Sequence, residues 1–252
     1  MTAMRSDRDR RIPTAPSRVT MATKRVLDIV GAALGLLLLW PVFAVVALMI
    51  KLETPGPIFF RQERVGRWGR SFRIYKFRSM VVAPEHGGIA LTVRADPRIT
   101  RVGMFLRRSK LDELPQLINV LVGDMSIVGP RPEVPQFMEF YTPHQRDVML
   151  AIRPGLTDYA AIVFHDESSL IDGNDDPIDV YRREIMPVKF AYYERYSREI
   201  GLLNDLRIVI ATVVMVVSGQ IPNWLGVEDR LRMPITAAQK STENRSAPAI
   251  SR

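Results

Sequence analysis

The chain contains no cysteine and only three histidines among its 252 residues. The absence of cysteine excludes disulfides and thiolate metal sites, and it fits a protein that faces the cytosol. The histidines, His86, His144 and His165, are scattered, so a histidine-rich zinc site is a poor fit. No internal repeat is present. The length is sufficient for one large domain or two small ones with a substantial core.

Acidic residues are fewer than basic ones: 27 Asp and Glu stand against 35 Lys and Arg, which gives a formal net charge of +8. This balance favours anionic partners such as phosphorylated ligands, anionic lipid or nucleic acid. The basic residues cluster in Pro- and Gly-containing loops, and the sequence has no recognisable nucleic-acid-binding module. We therefore expect no nucleic-acid partner.

Charge is absent from one long apolar stretch. No charged residue occurs from Ile29 to Ile50, about 20 residues and enough to cross a hydrocarbon core of roughly 30 Å. A cleaved signal peptide fits poorly, because the stretch is too long and no small-residue cleavage site follows it. We predict a disordered basic arm over residues 1–20 and a membrane helix over residues 21–52.

Pro41 divides this membrane helix into two halves. Each half is roughly 15–18 Å long at 1.5 Å per residue, too short to cross a bilayer alone. Proline removes a backbone hydrogen bond and kinks a helix. Both flanks are rich in Lys and Arg, and such flanks tend to remain in the cytoplasm. A re-entrant helix that bends at Pro41 keeps both flanks on one side, and we predict this geometry. A plain kinked transmembrane helix is the alternative.

The remainder of the chain predicts a mainly helical α+β fold. Apolar alternation over 57–62 and 72–77, separated by Gly66 and Gly69, indicates a short β-hairpin. Apolar residues in "DELPQLINVLVG" recur with helical spacing up to Gly123, a typical helix stop. Further expected elements are a loop over 84–88, a helix from near 97–100, a helix over 136–152, a strand after "RPGLT", an acidic loop over 165–178, helices divided at Pro187, and a membrane-surface or core helix over 206–217.

The segment "RRSKLDELPQLINVL" (107–121) places two adjacent carboxylates, Asp112 and Glu113, at a helix start. Ser109 and Asp112 fit a Ser-x-x-Asp capping pattern. A first helical turn presents free N–H groups, which stabilise carboxylates and bound phosphates alike. Adjacent helical residues point about 100° apart, so one acid could attack a substrate while the other holds a metal ion or polarises water. The alternative is that both acids merely cap the helix.

Basic residues surround this acidic pair in the sequence and favour the functional interpretation. Arg107 lies one turn upstream, Lys76 lies in "YKFRSM", Arg131 in "GPRPE" and Arg153 in "RPG". The last two belong to rigid Pro/Gly loops, where arginine can form a bidentate fork on a phosphate with little loss of entropy. We predict all four as substrate-binding residues.

These motifs, from "KRVLDIVGAALGLLLLWPVF" through "TPGPIFFRQERVGRWGRSFRIYKFRSM" and "RRSKLDELPQLINVLVGDMSIVGPRPE" to "RPGLTD", closely resemble those of the bacterial sugar transferases. The resemblance is to the small monotopic phosphoglycosyl transferases of that family. It covers about residues 22–165 and extends more loosely to 220. The motifs are numerous and occur in the same order.

The resemblance implies a reaction and a site. Family members transfer a sugar 1-phosphate from a nucleotide sugar, usually a UDP-sugar, to polyprenyl phosphate (undecaprenyl phosphate), and release a nucleoside monophosphate. Asp112 would be the nucleophile that forms a phosphosugar-enzyme intermediate, and Glu113 would support it with Mg²⁺, which both acids would hold. The phosphate-contacting cations would be Lys76, Arg107 and Arg131.

The resemblance also implies a location and a domain organisation. We expect membrane lipids as partners and a catalytic domain over residues 53–220 on the cytoplasmic face of the bacterial inner membrane, with a flexible tail over 221–252. We expect a role in initiating a surface polysaccharide. The oligomeric state and the sugar are left open.

Two features depart from the family pattern. Trp40 precedes Pro41 where serine is frequent, and "DYAAIVF" follows "RPGLT" where many members continue Gly-x-Ala-Gln. No sugar specificity is therefore carried over. A competing interpretation is a non-enzymatic, membrane-anchored scaffold whose basic face binds anionic lipid. It accounts for the charge and the apolar stretch but leaves the acidic pair unexplained.

Overall fold

The computed structural model describes residues 17–81, 96–172 and 176–227. Four strands are present in these ranges: β1 (Phe59–Val65), β2 (Ser71–Phe77), β3 (Ser126–Val128) and β4 (Gly155–Thr157). The α-helices are α1 (Arg18–Glu53), α2 (Arg101–Arg108), α3 (Leu117–Val122), α4 (Pro135–Met138), α5 (Pro143–Leu150), α6 (Tyr159–Val163), α7 (Glu167–Ile171), α8 (Pro177–Val180), α9 (Met186–Glu199) and α10 (Leu202–Ser218). Short 3₁₀ turns cover Arg67–Gly69, Leu111–Gln116 and Asn223–Leu225, and a π turn covers Tyr181–Ile185.

Helix α1 contains the predicted membrane segment. Its N-terminus is capped by Ser17, whose side chain accepts a hydrogen bond from the Thr20 N–H, and it continues through Pro41 to Glu53. In the described part of the chain it is the one helix long and apolar enough to cross a bilayer. Most of its apolar side chains are exposed, including Leu38 at 74%, so α1 presents a lipid-compatible surface.

The N-terminal part of α1 is anchored to the remainder of the fold by buried polar groups. Lys24 forms an ion pair with Asp205 of α10 at 2.6 Å. Asp28 accepts hydrogen bonds from the Ser126 hydroxyl at 2.8 Å and from the Ile127 N–H at 2.9 Å, so it binds the start of strand β3. These charges are stable away from water because each has a partner.

The C-terminal end of α1 is anchored to the same domain. Ile50 is buried in a cluster with Phe77 and Leu106. Arg78 donates to carbonyl groups just after the helix, including that of Thr54 at 2.8 Å, which satisfies orphan acceptors at a helix C-terminus. Glu53 accepts the backbone N–H of Arg101 at 2.8 Å and so caps α2. Both ends of α1 therefore contact one folded unit.

Strands β1 and β2 form the predicted hairpin. They pair antiparallel, with Phe59 opposite Phe77 and Val65 opposite Ser71. At the tip, Trp68 has a φ of 59°, a left-handed conformation that is uncommon for a non-glycine residue. Asn119 of α3 connects the hairpin to the helix behind it, because its side chain accepts the Tyr75 N–H at 2.9 Å.

Strands β3 and β4 form a second, parallel pair. Ser126 is opposite Gly155 and Val128 is opposite Thr157. A Cβ on Gly155 would lie only 2.1 Å from the backbone nitrogen of Gly129, so glycine is required for the close approach of the two chains. This contact fixes the start of the loop that carries Arg131.

Three sequence-based predictions of secondary structure were wrong in part. The helix predicted over 136–152 is two helices, α4 and α5, because Thr142 forms a capping box that starts α5 anew. The strand after "RPGLT" ends at Thr157, because Asp158 caps helix α6. The acidic loop over 165–178 contains helix α7. Side chains at caps, which act locally, overrode the apolar pattern in the first two cases.

Helix α1 begins at Arg18, inside the predicted arm, and a 3₁₀ turn, Asn223–Leu225, lies inside the predicted tail. The remaining predicted elements in the described ranges agree with the structure. Pro187 lies in the first turn of α9, directly after the π turn. Helix α10 buries Ile208, Ala211 and Met215 against the main core and exposes an apolar face that includes Leu203 and Val217. The loop predicted over 84–88, residues 1–16 of the arm and the tail from residue 228 lie outside the described residues.

Candidate active site

The acidic pair lies on a 3₁₀ helix, Leu111–Gln116, between α2 and α3. Its preceding residue, Lys110, adopts a left-handed conformation with a φ of 57°, and Pro115 is tolerated because the α-helix begins only at Leu117. The capping pattern predicted for Ser109 was wrong: its hydroxyl donates to the Phe105 carbonyl at 2.8 Å and so belongs to the end of α2. Successive side chains in a 3₁₀ helix point about 120° apart, so the two acids face different neighbours.

Glu113 is held by two cations. Lys76, from β2, donates to Glu113 Oε1 at 2.9 Å, and Arg131, from the loop after β3, donates from Nη1 to Oε2 at 2.9 Å. A second contact joins Arg131 Nη2 to Oε1, which makes the pair bidentate. Burial alone would raise the pKa of Glu113, but Arg131 and Lys76 lower it well below its ordinary value. Glu113 is therefore a permanent anion in this site.

Asp112 has a different environment from its neighbour. Its side chain is buried, and Oδ1 has no hydrogen-bond partner among the residues described. Burial raises the pKa of Asp112 above its ordinary value, and the positive charge of Lys76 opposes this shift. An incompletely solvated carboxylate with a free oxygen is more reactive than one that accepts several hydrogen bonds. The two neighbouring acids therefore differ: Asp112 keeps an oxygen without a hydrogen-bond partner, whereas the charge of Glu113 is neutralised by two cations.

Arg107 reaches the same cluster from α2. Its Nε donates to the Ser79 hydroxyl at 2.9 Å, which fixes the guanidinium, and its terminal nitrogens donate to no described residue. Burial lowers the pKa of Arg107, and the charge of Asp112 opposes this effect. Sequence reasoning did not identify Ser79, which lies just beyond the strand that supplies Lys76. Its hydroxyl has a positioning role that no sequence motif indicated.

The structure thus brings together Asp112, Glu113, Lys76, Arg107 and Arg131, and it does not bring Arg153 to them. Arg153 donates from Nε to the carbonyl of Gly123, at 3.0 Å, just beyond the end of α3. Asp112 and Glu113 lie before the N-terminal end of α3, the end opposite to Gly123. The role predicted for Arg153 in substrate binding remains a prediction, without support from its position.

The same carboxylates are the candidates for binding Mg²⁺. No cluster of three or more potential metal-ligating side chains occurs in residues 17–81, 96–172 and 176–227. Mg²⁺ commonly binds one or two carboxylates and takes its other ligands from water and substrate phosphates. The carboxylate of Asp112, with its unpartnered Oδ1, fits this pattern. Both oxygens of Glu113 accept hydrogen bonds from cations, so Glu113 would exchange one of them for the metal.

Comparison of the sequence with known proteins identifies the family of this chain. A family model described as "Bacterial sugar transferase" matches residues 19–219, which include α1, the hairpin and all five clustered residues. The chain belongs to this family. The match extends from the first turn of α1 to just beyond α10. The long apolar helix α1 and the acidic site are thus parts of one family unit.

Curated relatives of this sugar transferase carry related names. A putative undecaprenyl-phosphate N-acetylgalactosaminyl 1-phosphate transferase from Bacillus subtilis is 53% identical over 119 residues, covering 47% of this chain and 66% of the relative. A UDP-glucose:undecaprenyl-phosphate glucose-1-phosphate transferase from Escherichia coli is 42% identical over 202 residues, covering 79% and 41%. An exopolysaccharide production protein from Rhizobium leguminosarum is 39% identical over 209 residues, covering 77% and 94%. The chain therefore spans less than half the length of the Escherichia coli relative.

Asp158 is a second buried acid of this sugar transferase, in the divergent segment "DYAAIVF". Its Oδ1 accepts the Ala161 N–H at 2.6 Å, while Oδ2 is buried without a hydrogen-bond partner in the described residues. Burial raises the pKa of Asp158 to about 6, although the Ala161 N–H and the charges of Arg131 and Lys189 oppose the shift. Sequence reasoning treated this segment as a departure without a role.

We expect Asp158→Asn to change how the stability of the sugar transferase depends on pH. The pKa of Asp158 is about 6 in the folded chain, against a reference value of 3.8. The folded state therefore binds more protons than the unfolded state between these values, and this carboxyl lowers the free energy of unfolding by up to about 3 kcal/mol as pH rises from about 4 to about 6. Asparagine does not titrate, so the melting temperature of the variant relative to wild type should rise across this window.

The measurement is thermal unfolding in detergent at several pH values. Asp147→Asn, at an exposed position on α5, is the control and should follow the wild-type profile. A difference between Asp158→Asn and wild type that stays constant with pH would contradict the prediction.

Proposed function

We propose that this chain transfers a sugar 1-phosphate from a UDP-sugar to undecaprenyl phosphate and releases UMP. The relatives' names support both the donor class and the acceptor. Those names divide between glucose and N-acetylgalactosamine, so the proposal is confined to UDP-hexoses as a class. The structural observation that carries it is the pairing of a free, buried Asp112 with a neutralised Glu113.

The first chemical step uses the free oxygen of Asp112. This oxygen attacks the phosphorus that bears the sugar, and the bond from that phosphorus to the oxygen shared with the nucleotide breaks. UMP leaves with the electron pair, and a phosphosugar-aspartyl enzyme remains. In the second step an oxygen of undecaprenyl phosphate attacks the same phosphorus, and Asp112 departs. Covalent catalysis of this kind lets a soluble donor and a lipid acceptor use one site in turn.

The cations of the site supply positive charge, which a carboxylate nucleophile needs to attack a pyrophosphate. A pyrophosphate repels an attacking anion, and charge accumulates on the departing phosphate as the bond breaks. Arg107 lies close enough for its charge to act on Asp112, and its terminal nitrogens bind no described residue. Arg131 and Lys76 are fixed in place by Glu113. Because these groups are oriented before the donor arrives, they need little reorganisation to stabilise the transition state.

Mg²⁺ would be held by Asp112 and Glu113 together with the donor pyrophosphate. When bound there, it would neutralise part of the negative charge on the leaving phosphate. Because the free oxygen, Oδ1, is the attacking atom, Asp112 would hold the ion through its other carboxylate oxygen. The arrangement leaves Lys76 and Arg131 to balance the remaining charge of Glu113.

We also propose that α1 is re-entrant. Lys24 near its start and Glu53 at its end both contact the catalytic domain, whereas a helix that crosses the bilayer carries its ends to opposite faces. The exposed apolar side chains between these ends favour insertion into one leaflet. This geometry would place the Asp112 site at the cytoplasmic surface of the inner membrane, where undecaprenyl phosphate presents its headgroup.

The chain offers a direct test of this topology because it contains no cysteine. We expect single cysteines at Thr23 and Leu52, both exposed, to react with a membrane-impermeant maleimide only after the cytoplasmic face is opened. A cysteine at the exposed Leu38 should be protected by lipid. Labelling of Thr23→Cys and Leu52→Cys from opposite faces would instead establish a spanning helix.

The reaction itself is tested by incubating the purified chain with Mg²⁺ and a panel of UDP-sugars, without lipid acceptor. Mass spectrometry should detect a sugar-phosphate adduct on Asp112, and adding undecaprenyl phosphate should discharge it with net release of UMP. If no donor yields either an adduct or, with acceptor present, UMP, the scaffold interpretation gains and the proposed reaction fails.

A further inference from the structure

Two arginines converge on the C-terminal end of α3, the end that points away from the acidic pair. Arg25 donates to the carbonyls of Val120 at 2.7 Å and Leu121 at 3.0 Å. Arg153 donates from Nε to the Gly123 carbonyl at 3.0 Å. The guanidinium of Arg25 also lies 3.3 Å from the position that a Cβ on Gly123 would occupy. The two side chains therefore meet around one glycine.

A third arginine joins this pair from the tip of the β-hairpin. Arg67 donates from Nε to the carbonyl of Ala151, two residues before Arg153, at 2.9 Å. Its guanidinium carbon lies 4.3 Å from the centroid of the exposed Trp68 ring, a stacking arrangement that fixes its plane. Burial and the neighbouring charge of Arg153 both lower the pKa of Arg67.

The positive charge of this cluster lacks a carboxylate partner. Within the part of the chain that the structure describes, no ion pair includes Arg25, Arg67 or Arg153. The acid whose charge acts on Arg25 is Asp28, and its two oxygens already bind Ser126 and Ile127. Asp28 offsets part of this charge, and three cations beside one carboxylate keep an excess positive charge that a bound anion would balance.

Helix capping occupies both terminal nitrogens of Arg25 but only the inner N–H groups of Arg67 and Arg153. Arg67 and Arg153 each use Nε for a backbone carbonyl, and neither uses its two terminal nitrogens in a hydrogen bond to a described residue. These terminal pairs form the planar fork that binds phosphate oxygens bidentately. The backbone contacts thus orient two open forks.

The position of the cluster along α1 indicates where the phosphate comes from. Arg25 precedes Ile29, the first residue of the charge-free stretch, by four residues, or about 6 Å along a helix. The headgroup layer of a bilayer is roughly 5–7 Å thick on each side. Two apolar side chains beside Arg25, Leu121 and Val122, are exposed, and tryptophan at the position of Trp68 is typical of a membrane interface.

We propose that Arg25, Arg67 and Arg153 form a binding site for the phosphate of an anionic phospholipid headgroup. The site is separate from the Asp112 site, because the two lie toward opposite ends of α3. Bound lipid would join the hairpin tip to the start of α1 through its phosphate. The proposal does not depend on the transferase reaction, since lipid binding can be measured without donor or acceptor.

The test is native mass spectrometry of the full chain in detergent with added phosphatidylglycerol, and with phosphatidylcholine as the zwitterionic reference. Wild type should retain phosphatidylglycerol preferentially. Arg67→Gln/Arg153→Gln should weaken retention by about tenfold or more, the scale of a lost charge-assisted hydrogen bond. The charge-matched control, Arg183→Gln/Arg198→Gln, removes two exposed cations whose ion pairs lie outside the cluster, and it should bind as wild type does.

Each outcome of this experiment decides the proposal. Equal weakening in both double variants would indicate diffuse charge attraction and would overturn it, as would unchanged binding in Arg67→Gln/Arg153→Gln. Displacement of the lipid by inorganic phosphate at the same concentration would show a site for free phosphate instead. If the double variant fails to fold, Arg67→Gln alone, at the hairpin tip, should still show weaker lipid retention.

Discussion

Asp112→Asn should abolish both the sugar-phosphate adduct and turnover, with a loss of roughly 10³-fold or more, because a neutral amide replaces the anionic carboxylate that covalent catalysis requires. The amide is nearly isosteric, so the 3₁₀ helix and the Glu113 contacts should persist. The measurement is UMP release with UDP-sugar, Mg²⁺ and undecaprenyl phosphate, combined with intact-protein mass spectrometry.

The matched control for this substitution is Asp147→Asn, which makes the same chemical change at an exposed position on α5. It should leave UMP release unchanged. Full activity of Asp112→Asn, in a preparation whose melting temperature equals that of wild type, would remove Asp112 from the mechanism and the covalent intermediate with it.

Arg131→Ala should lower kcat/KM for the UDP-sugar by about 10²-fold or more, because it removes a bidentate, preorganised cation from the site of charge development. It would also leave the buried Glu113 with Lys76 as its remaining partner, and an uncompensated buried charge destabilises a fold. Arg131→Lys should restore little activity, since an ammonium group cannot form the two parallel contacts that Arg131 makes.

Arg146→Ala separates this effect from general loss of charge. Arg146 is exposed, and its Nε donates to the carbonyl of Tyr141 outside the acidic site. We expect wild-type kcat/KM for this variant. An unaltered kcat/KM in a folded Arg131→Ala protein would show that Glu113 holds Arg131 for structural reasons alone.

Five of the six predicted site residues lie together in the structure, and these five occur in short, dense motifs. Asp112 and Glu113 are adjacent, and Lys76 and Arg131 each lie in a distinctive local pattern, so their convergence could be expected from the family resemblance. The resemblance assigned different roles to the two acids, but the sequence could not show how the fold gives them different surroundings. That depends on contacts with β2 and the loop after β3, which are distant along the chain.

The arginines illustrate why the remainder was not predictable. Arg78 lies two residues after Lys76, and alternating residues of a strand share a face. Strand β2 ends at Phe77, however, and Arg78 turns toward the end of α1 and donates to its carbonyls. Arg153 lies in the same kind of rigid loop as Arg131 but contacts Gly123. Arg131 and Arg153 are the same residue type in similarly rigid loops, and only their tertiary contacts distinguish their positions in the fold.

The attachment of α1 at both ends has a consequence for protein engineering. Asp28 satisfies backbone and hydroxyl donors of β3, and Arg78 depends on carbonyl groups at the end of α1. Deleting α1 would therefore leave buried donors without acceptors and uncover the apolar cluster around Phe77. A version of the chain shortened by removal of α1, or joined to an unrelated helix, would not retain the native fold of the remaining domain. Helix α1 is thus a structural element of the folded unit and not an interchangeable anchor.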